Sequence, residues 1–311
     1  MSFSHVPVLL EEVLTLLAPA RGGVFVDGTL GGGGHAAAVL EKLPPEGRLV
    51  GIDRDAAALE AARERLKDYG GRFTALHGNF FDMRALLQAQ GIERVNGILL
   101  DLGVSSFQLD TPERGFSYKT DAPLDMRMDR SAPLTARDVV NGYSFEALCR
   151  ILREYGEERF AARIAGRIVR AREERPIETT AQLAALAVSG IPAKHRNEPQ
   201  HPARRTFQAV RIEVNGELDG LAKAVEAAEA LLQKGGRLCI ITFHSLEDRI
   251  VKQTFRRFAD PCTCDRRAPI CSCGKQPTAQ ILTRRPIVAS ERELAENSRA
   301  SSAKLRCIQK L

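Results

Sequence analysis

Three groups of residues in this 311-residue chain have the types and spacing to do chemistry. The first is Asp27-Gly-Thr-Leu-Gly-Gly-Gly-Gly-His35, followed by Asp53 some 20 residues beyond the glycines. Glycines let a backbone turn through positive φ and approach a ligand closely, and a helix opened by such a loop points free N–H groups at it. A carboxylate one strand further on suits the two hydroxyls of a ribose. Loop and carboxylate together point to an adenosine-containing cofactor; the competing reading is a merely tight turn. A dinucleotide needs G-x-G-x-x-G, which Gly31-Gly-Gly33-Gly-His-Ala36 meets only in its alanine variant. S-adenosylmethionine has no phosphate to cradle, so it tolerates a looser loop, with Asp27 before it and the Gly78-Asn79-Phe80 turn after a third strand.

The second group is Asp101, in Asp101-Leu-Gly-Val-Ser-Ser106, and His244, in Phe243-His-Ser-Leu-Glu-Asp-Arg249. Methyl transfer to an amine needs in-line placement, acceptors that orient the amine, and loss of a proton. Asp101 and His244 are the candidates for that work; turn capping and ordinary core packing are the structural alternatives. The third group is Cys262-Thr-Cys264 and Cys271-Ser-Cys273, two C-x-C pairs six residues apart. Four thiolates suffice for a tetrahedral structural zinc, although C-x-C is tighter than the usual pair. Cys149, Cys239 and Cys307 read as ordinary buried thiols.

Those residues require elements to position them. Gly23–Thr29, Arg48–Asp55, Arg72–Phe80 and Val95–Gly103 read as strands, separated by helical stretches Ala36–Leu43, Ala56–Tyr69 and Met83–Gln90, with Asp55 as an N-cap. That rhythm predicts βαβ units in a doubly wound, Rossmann-like parallel sheet. From Ser106 to Arg205 it stops, giving way to a Pro/Asp/Arg-rich loop (Asp110–Pro133) and helical patterns at Phe145–Tyr155, Glu157–Glu174 and Thr180–Val188. It then resumes with helices Thr206–Asn215 and Glu217–Leu232, a strand Arg237–Ser245, and weaker strands Ile281–Ala289 and Ala303–Gln309. The expectation is one α/β domain, residues 1–105 and 206–311, interrupted by a helical insertion at 106–205.

Charge is segregated along the chain. Residues 150–211 carry 13 basic against 7 acidic side chains and 249–311 carry 14 against 5, whereas 1–149 and 212–248 are net acidic. Blocks of this kind match a polyanion-binding face, or simply solvated Arg-rich helices. Seven scattered cysteines do not form a disulfide framework, no apolar run is long enough for a membrane span, and the first residues lack a signal-peptide pattern. The expected location is therefore the cytoplasm.

DGTLGGGGH, GIDRD, ILLDLGVSS with Gln108 and ERGFS, DAPLDMRMD, YGEERFA, HPARRTFQAVRIEVN, ITFHSLEDRIVK and ENSRASSAKLR occur in this order. Together, from His5 almost to Leu311, they resemble the MraW family of ribosomal RNA methyltransferases. The resemblance implies a class I S-adenosylmethionine-dependent methyltransferase fold with a helical domain inserted after the fourth strand. It implies methylation of N4 of a decoding-centre cytidine in 16S ribosomal RNA, within the small ribosomal subunit. By motif it implies that Gly33, Gly34 and His35 contact the cofactor, Asp53 holds the ribose, Phe80 lies against the adenine, and Asp101 and Gln108 complete the pocket. The Asp-Pro-Pro-Tyr form of many amino-methyltransferases is absent at Asp101, so Phe107, Phe116 or Tyr118 would have to stack on a flipped base. Arg163, Arg167, Arg170, Arg172, Arg204 and Arg205 would meet phosphates. Two other classes fit parts of the pattern: a nicotinamide-dependent oxidoreductase, and an RNA-binding assembly factor that retains a cofactor fold without catalysis. A DNA amino-methyltransferase would share the chemistry.

Overall fold

Alternate residues of a strand face opposite sides of a sheet, and this chain supplies an apolar residue for each side. A computed structural model describes residues 7–196, 200–265 and 272–311. Its strands are β1 (Val24–Asp27), β2 (Arg48–Asp53), β3 (Phe73–His77), β4 (Val95–Asp101), β5 (Leu232–Thr242), β6 (Ala279–Ile281) and β7 (Lys304–Lys310). They form one sheet in the order β3-β2-β1-β4-β5-β7-β6. The first five are parallel, and β7 runs antiparallel to both β5 and β6. Val26, Val50, Ile98, Leu100, Leu238 and Ile240 pack in one core layer. Their strand neighbours Phe25, Leu49, Leu99, Cys239 and Ile241 pack in the other. Both faces are thus covered, as a parallel sheet requires.

Strand order reverses at β1, which pairs with β2 on one side and β4 on the other. In open α/β sheets ligands bind outside the carboxyl ends of strands at such a switch point. Asp27 ends β1 and Asp101 ends β4, so both carboxylates stand there.

The chain divides into two compact units, Met1–Gly103 with Leu218–Leu311, and Val104–Glu217. The second is helical, built on Ala136–Gly142, Phe145–Glu154, Ala161–Glu174, Thr180–Gly190 and Arg204–Asn215. The sequence pattern places the end of this insertion at Arg205. The helix Arg204–Asn215 instead commits Phe207, Ala209, Val210 and Val214 to the core of the helical unit, so the unit runs on to Glu217.

Two segments differ from their sequence pattern for local reasons. A helix was expected from Glu157, but it begins at Ala161. Glu157 sits at φ 48°, outside helical space, and the Glu158 carboxylate accepts the Phe160 N–H at 2.8 Å. Of the expected strand Ile281–Ala289 only Ile281 lies in β6, with one isolated bridge from Ile287 to Leu305; between them the Thr283 hydroxyl, in place of a backbone carbonyl, accepts the Cys307 N–H at 2.8 Å, and Pro286 has no N–H for a ladder.

Within the helical unit the DAPLDMRMD stretch is a packed strap. Leu124, Met126 and Met128 are buried with Phe116. Asp125 and Arg127 pair at 2.8 Å, while the buried Arg114 donates to the carbonyls of Arg127 and Met128. Asn215 ties the strap to the last helix, accepting from Met128 N and donating to Met126 O, both at 2.8 Å.

Candidate active site

The loop after β1 is shaped by hydrogen bonds that radiate from the strand ends. Asp27 Oδ1 accepts the Thr29 N–H at 3.2 Å, and the Thr29 hydroxyl accepts the Asp101 N–H at 2.6 Å. Gly28 passes so close to β4 that a Cβ there would lie 2.5 Å from Leu100 Cδ2, which only glycine avoids. At the far end Gly33 takes φ 75° as the cap of helix Gly34–Lys42, against Ala62 and Leu66. No side chain caps that helix, so its first N–H groups face the loop mouth without a side-chain acceptor.

Asp53, at the end of β2, holds the loop from the other side. Its Oδ2 accepts the Gly31 N–H at 2.7 Å and its Oδ1 accepts the Asp55 N–H at 2.8 Å. A carboxylate has about four acceptor positions, so two remain for hydroxyls. Phe80 follows the third strand in a short turn, meets Phe81 edge-on with centroids 4.7 Å apart, and lies beside Gly28. Gly31, Gly33, Asp53, Phe80 and Asp101 therefore line one rim.

The rim is unusual electrostatically. Desolvation by burial pushes Asp27 up to about 7, with Asp53 adding to the effect through its charge. Burial likewise raises Asp53 and carries Asp101 well above the carboxylate range, where the charges of Asp27 and Glu247 push the same way. Asp101 Oδ1 is buried with no hydrogen-bond partner among the described residues. Burial lowers His35 to about 4, so its ring is neutral near pH 7.

Two further expected residues take part in helix caps. His244 caps helix Ser245–Ala259: its Nδ1 accepts the Glu247 N–H at 3.4 Å, and its Nε2 stands 3.2 Å from Glu247 Oε1. The ring lone pair is thus spent on the cap. Gln108 is buried in the helical unit, where it closes a capping box with Ser105, each accepting from the other at 3.2 and 3.1 Å. Among the aromatics, Phe116 is part of the helical core, and Tyr118 stacks on His201 at 4.6 Å. Gly34 has its Cα side filled by Pro7, which a Cβ would meet at 2.8 Å.

Sequence reasoning missed three contributors. Thr29 joins β1 to β4, Glu247 supplies a buried carboxylate behind Asp101, and the N-terminal segment brings the Val8 carbonyl to His35 Nε2 at 2.9 Å. Thr29 and Glu247 stood inside motifs already singled out; Val8 carried no signal, since a backbone acceptor has no residue type.

A model of the MraW methylase family matches residues 2–311. The chain belongs to that family. Among its relatives, ribosomal RNA small subunit methyltransferase H of Symbiobacterium thermophilum is 54% identical over 311 residues, covering all of this chain and 98% of its own. The protein of the same name from Geobacter sulfurreducens is 56% identical, with both chains covered in full. Membership of a methylase family leaves hydride transfer without support. Elsewhere in this family member, Cys262, Cys264 and Cys273 converge in a loop, their Sγ atoms within 4.8 Å of one another; Cys271 lies outside the described residues. No helix among the described residues is long and apolar enough to cross a membrane.

Proposed function

We propose that this protein transfers a methyl group from S-adenosylmethionine to the exocyclic N4 of a cytidine in the decoding region of 16S ribosomal RNA, acting in the cytoplasm on the small subunit or its RNA. One observation carries the reading: an acidic rim at the switch point of a methylase-family sheet, with one buried carboxyl oxygen of Asp101 left without a partner among the described residues. Small-subunit ribosomal RNA enters through the names of the relatives. N4 of cytidine enters through the motif resemblance and through the fit of an amine to Asp101.

The residues present fit the cofactor. Asp53 would hold the ribose hydroxyls with its two free acceptor positions, Phe80 would flank the adenine, and the loop at Gly31–Gly33 would let the backbone lie close. When bound, S-adenosylmethionine supplies a methyl group on a positively charged sulfur. Asp101 would accept a hydrogen bond from the substrate amine, holding its nitrogen toward the methyl and keeping its hydrogens in the plane that the carboxyl defines. The Oδ1 atom itself is shielded from water, which strengthens a hydrogen bond made to it. The amine gives up one proton after accepting the methyl, and a carboxylate at Asp101 is placed to take it. His244 acts through position: its cap fixes Glu247 behind Asp101.

RNA binding falls to the helical unit. Arg163, Arg167 and Arg170 are exposed at helical spacing on one face of Ala161–Glu174 and have no carboxylate partner among the described residues. Arg172 is instead turned inward onto the Val140 carbonyl at 2.8 Å. Arg204 and Arg205 open the last helix of the unit.

The deciding experiment is mass spectrometry of nucleosides from small-subunit particles and from naked 16S RNA, each incubated with the protein and methyl-labelled S-adenosylmethionine. Labelled N4-methylcytidine is expected with wild type and is lost with Asp101→Ala. Label absent from both substrates, with cofactor binding shown separately, overturns the enzyme reading in favour of an assembly factor.

A further inference from the structure

The sheet accounts for the chain's carboxylates and glycines but not for the loop between helix Ser245–Ala259 and β6. This loop, residues 260–278, has no helix or strand among its described residues, and none of them is buried. Apolar burial therefore does not hold these described residues. Long loops between elements of a compact domain are uncommon and are usually functional or disordered. At its base the Thr278 N–H donates to the Phe258 carbonyl at 2.9 Å. Toward its tip three thiols from two separated stretches, Cys262, Cys264 and Cys273, come together within 4.8 Å.

Three observations turn that convergence into a site. Cys262 and Cys273 place their sulfurs 3.8 Å apart. Thiolates bound to one tetrahedral zinc at about 2.3 Å lie about 3.8 Å from one another. A disulfide needs about 2.05 Å instead. The donor set is all sulfur, which selects zinc over oxygen-preferring ions such as magnesium and calcium. Cys262, Cys264 and Cys273 are all free thiols, with none joined in a disulfide.

We infer that Cys262, Cys264 and Cys273 bind a structural zinc ion that fixes the loop 260–278. The ion releases the thiol protons on binding and takes no part in methyl transfer. It ties the two ends of the loop together beside the end of helix Ser245–Ala259. The fourth coordination position is filled from outside these three residues.

The test uses the full-length protein purified under reducing conditions. Elemental analysis should find one zinc per chain, lost in Cys262→Ser and in Cys273→Ser but kept in Cys149→Ser, whose thiol lies in the helical core. Cobalt substitution should give the visible bands of a tetrahedral thiolate site, and these should vanish in the same two variants. Limited proteolysis should cut within 260–278 only after a chelator removes the metal, with the melting transition of the remaining chain retained as proof of folding. Zinc content no higher in wild type than in Cys262→Ser, with both chains folded, overturns the proposal. So does a Cys262–Cys273 disulfide as the principal state of these residues in the freshly reduced and desalted protein.

Discussion

His35 Nδ1 lies 3.7 Å from Asp101 Oδ2, while His35 Nε2 donates to the Val8 carbonyl at 2.9 Å. A carbonyl only accepts, so the second contact assigns the ring proton to Nε2 and turns the Nδ1 lone pair toward Asp101. The gap exceeds a hydrogen bond. Burial shifts Asp101 upward and His35 down to about 4, so each is displaced toward its neutral form.

Stability should record these shifts with opposite signs. Asp27 binds its proton up to about 7 in the fold against 3.8 otherwise, so its contribution to stability falls as pH rises through that window. His35 refuses a proton above about 4 where a free histidine takes one at 6.5, so its contribution rises with pH between those values. The two partly offset in the wild type. From about pH 5 to pH 7, urea unfolding should show Asp27→Asn gaining about 2 kcal/mol relative to wild type, and His35→Gln losing a similar amount. Parallel pH profiles for all three proteins would refute the assignment.

Asp53 should matter more for cofactor than for folding. Asp53→Ala removes the acceptor for Gly31 and Asp55 and the proposed ribose contacts together. Hydrogen bonds to a charged group are worth about 1.5–3 kcal/mol each, so calorimetric affinity for S-adenosylmethionine should weaken roughly 100-fold or more. Asp53→Asn keeps one acceptor oxygen and should fall between. An Asp53→Ala protein that binds the cofactor like wild type would remove Asp53 from the site.

His244 separates capping from proton transfer. An asparagine side chain caps a helix N-terminus as well as any residue, so His244→Asn should keep the melting temperature close to wild type and retain methyl transfer to within a few-fold. Glu247→Ala should do neither, because Glu247 Oε2 accepts the N–H groups of Phe243 and His244 at 2.9 and 3.4 Å. Its loss leaves buried donors unmet at a cost of about 1–3 kcal/mol. A His244→Asn protein that folds but is inactive, with a pH profile that has lost a limb, would restore the imidazole as proton acceptor.

The sheet was legible because apolar runs and helical stretches alternate without interruption from Val24 to Asp101, and each strand ends on a polar residue. Motif residues at those ends follow from topology alone: Asp27, Asp53 and Asp101 are where parallel strands deliver them. What the sequence concealed depends on packing at a distance. Helix Arg204–Asn215 reads as part of the second α/β half until its apolar face is seen in the helical core. Phe116 reads as a loop aromatic until its burial in the helical core is known, and the cap that His244 makes on helix Ser245–Ala259 carries no mark in the sequence. A residue's type announces the chemistry it can do, whereas its partners decide whether that capacity is already spent.

The exposed arginines give the last test. Arg163, Arg167 and Arg170 face solvent, whereas Arg172 is held by the Val140 carbonyl. If the three exposed guanidinium groups meet phosphates, each Arg→Ala change should weaken binding of 16S RNA and lower the slope of log affinity against log salt by about one. Arg172→Ala should cost stability without changing that slope. Filter binding at several salt concentrations measures both quantities. A triple variant whose slope equals that of the wild type would move the RNA-binding face elsewhere, with Arg204, Arg205 and the basic C-terminal region the next to be substituted.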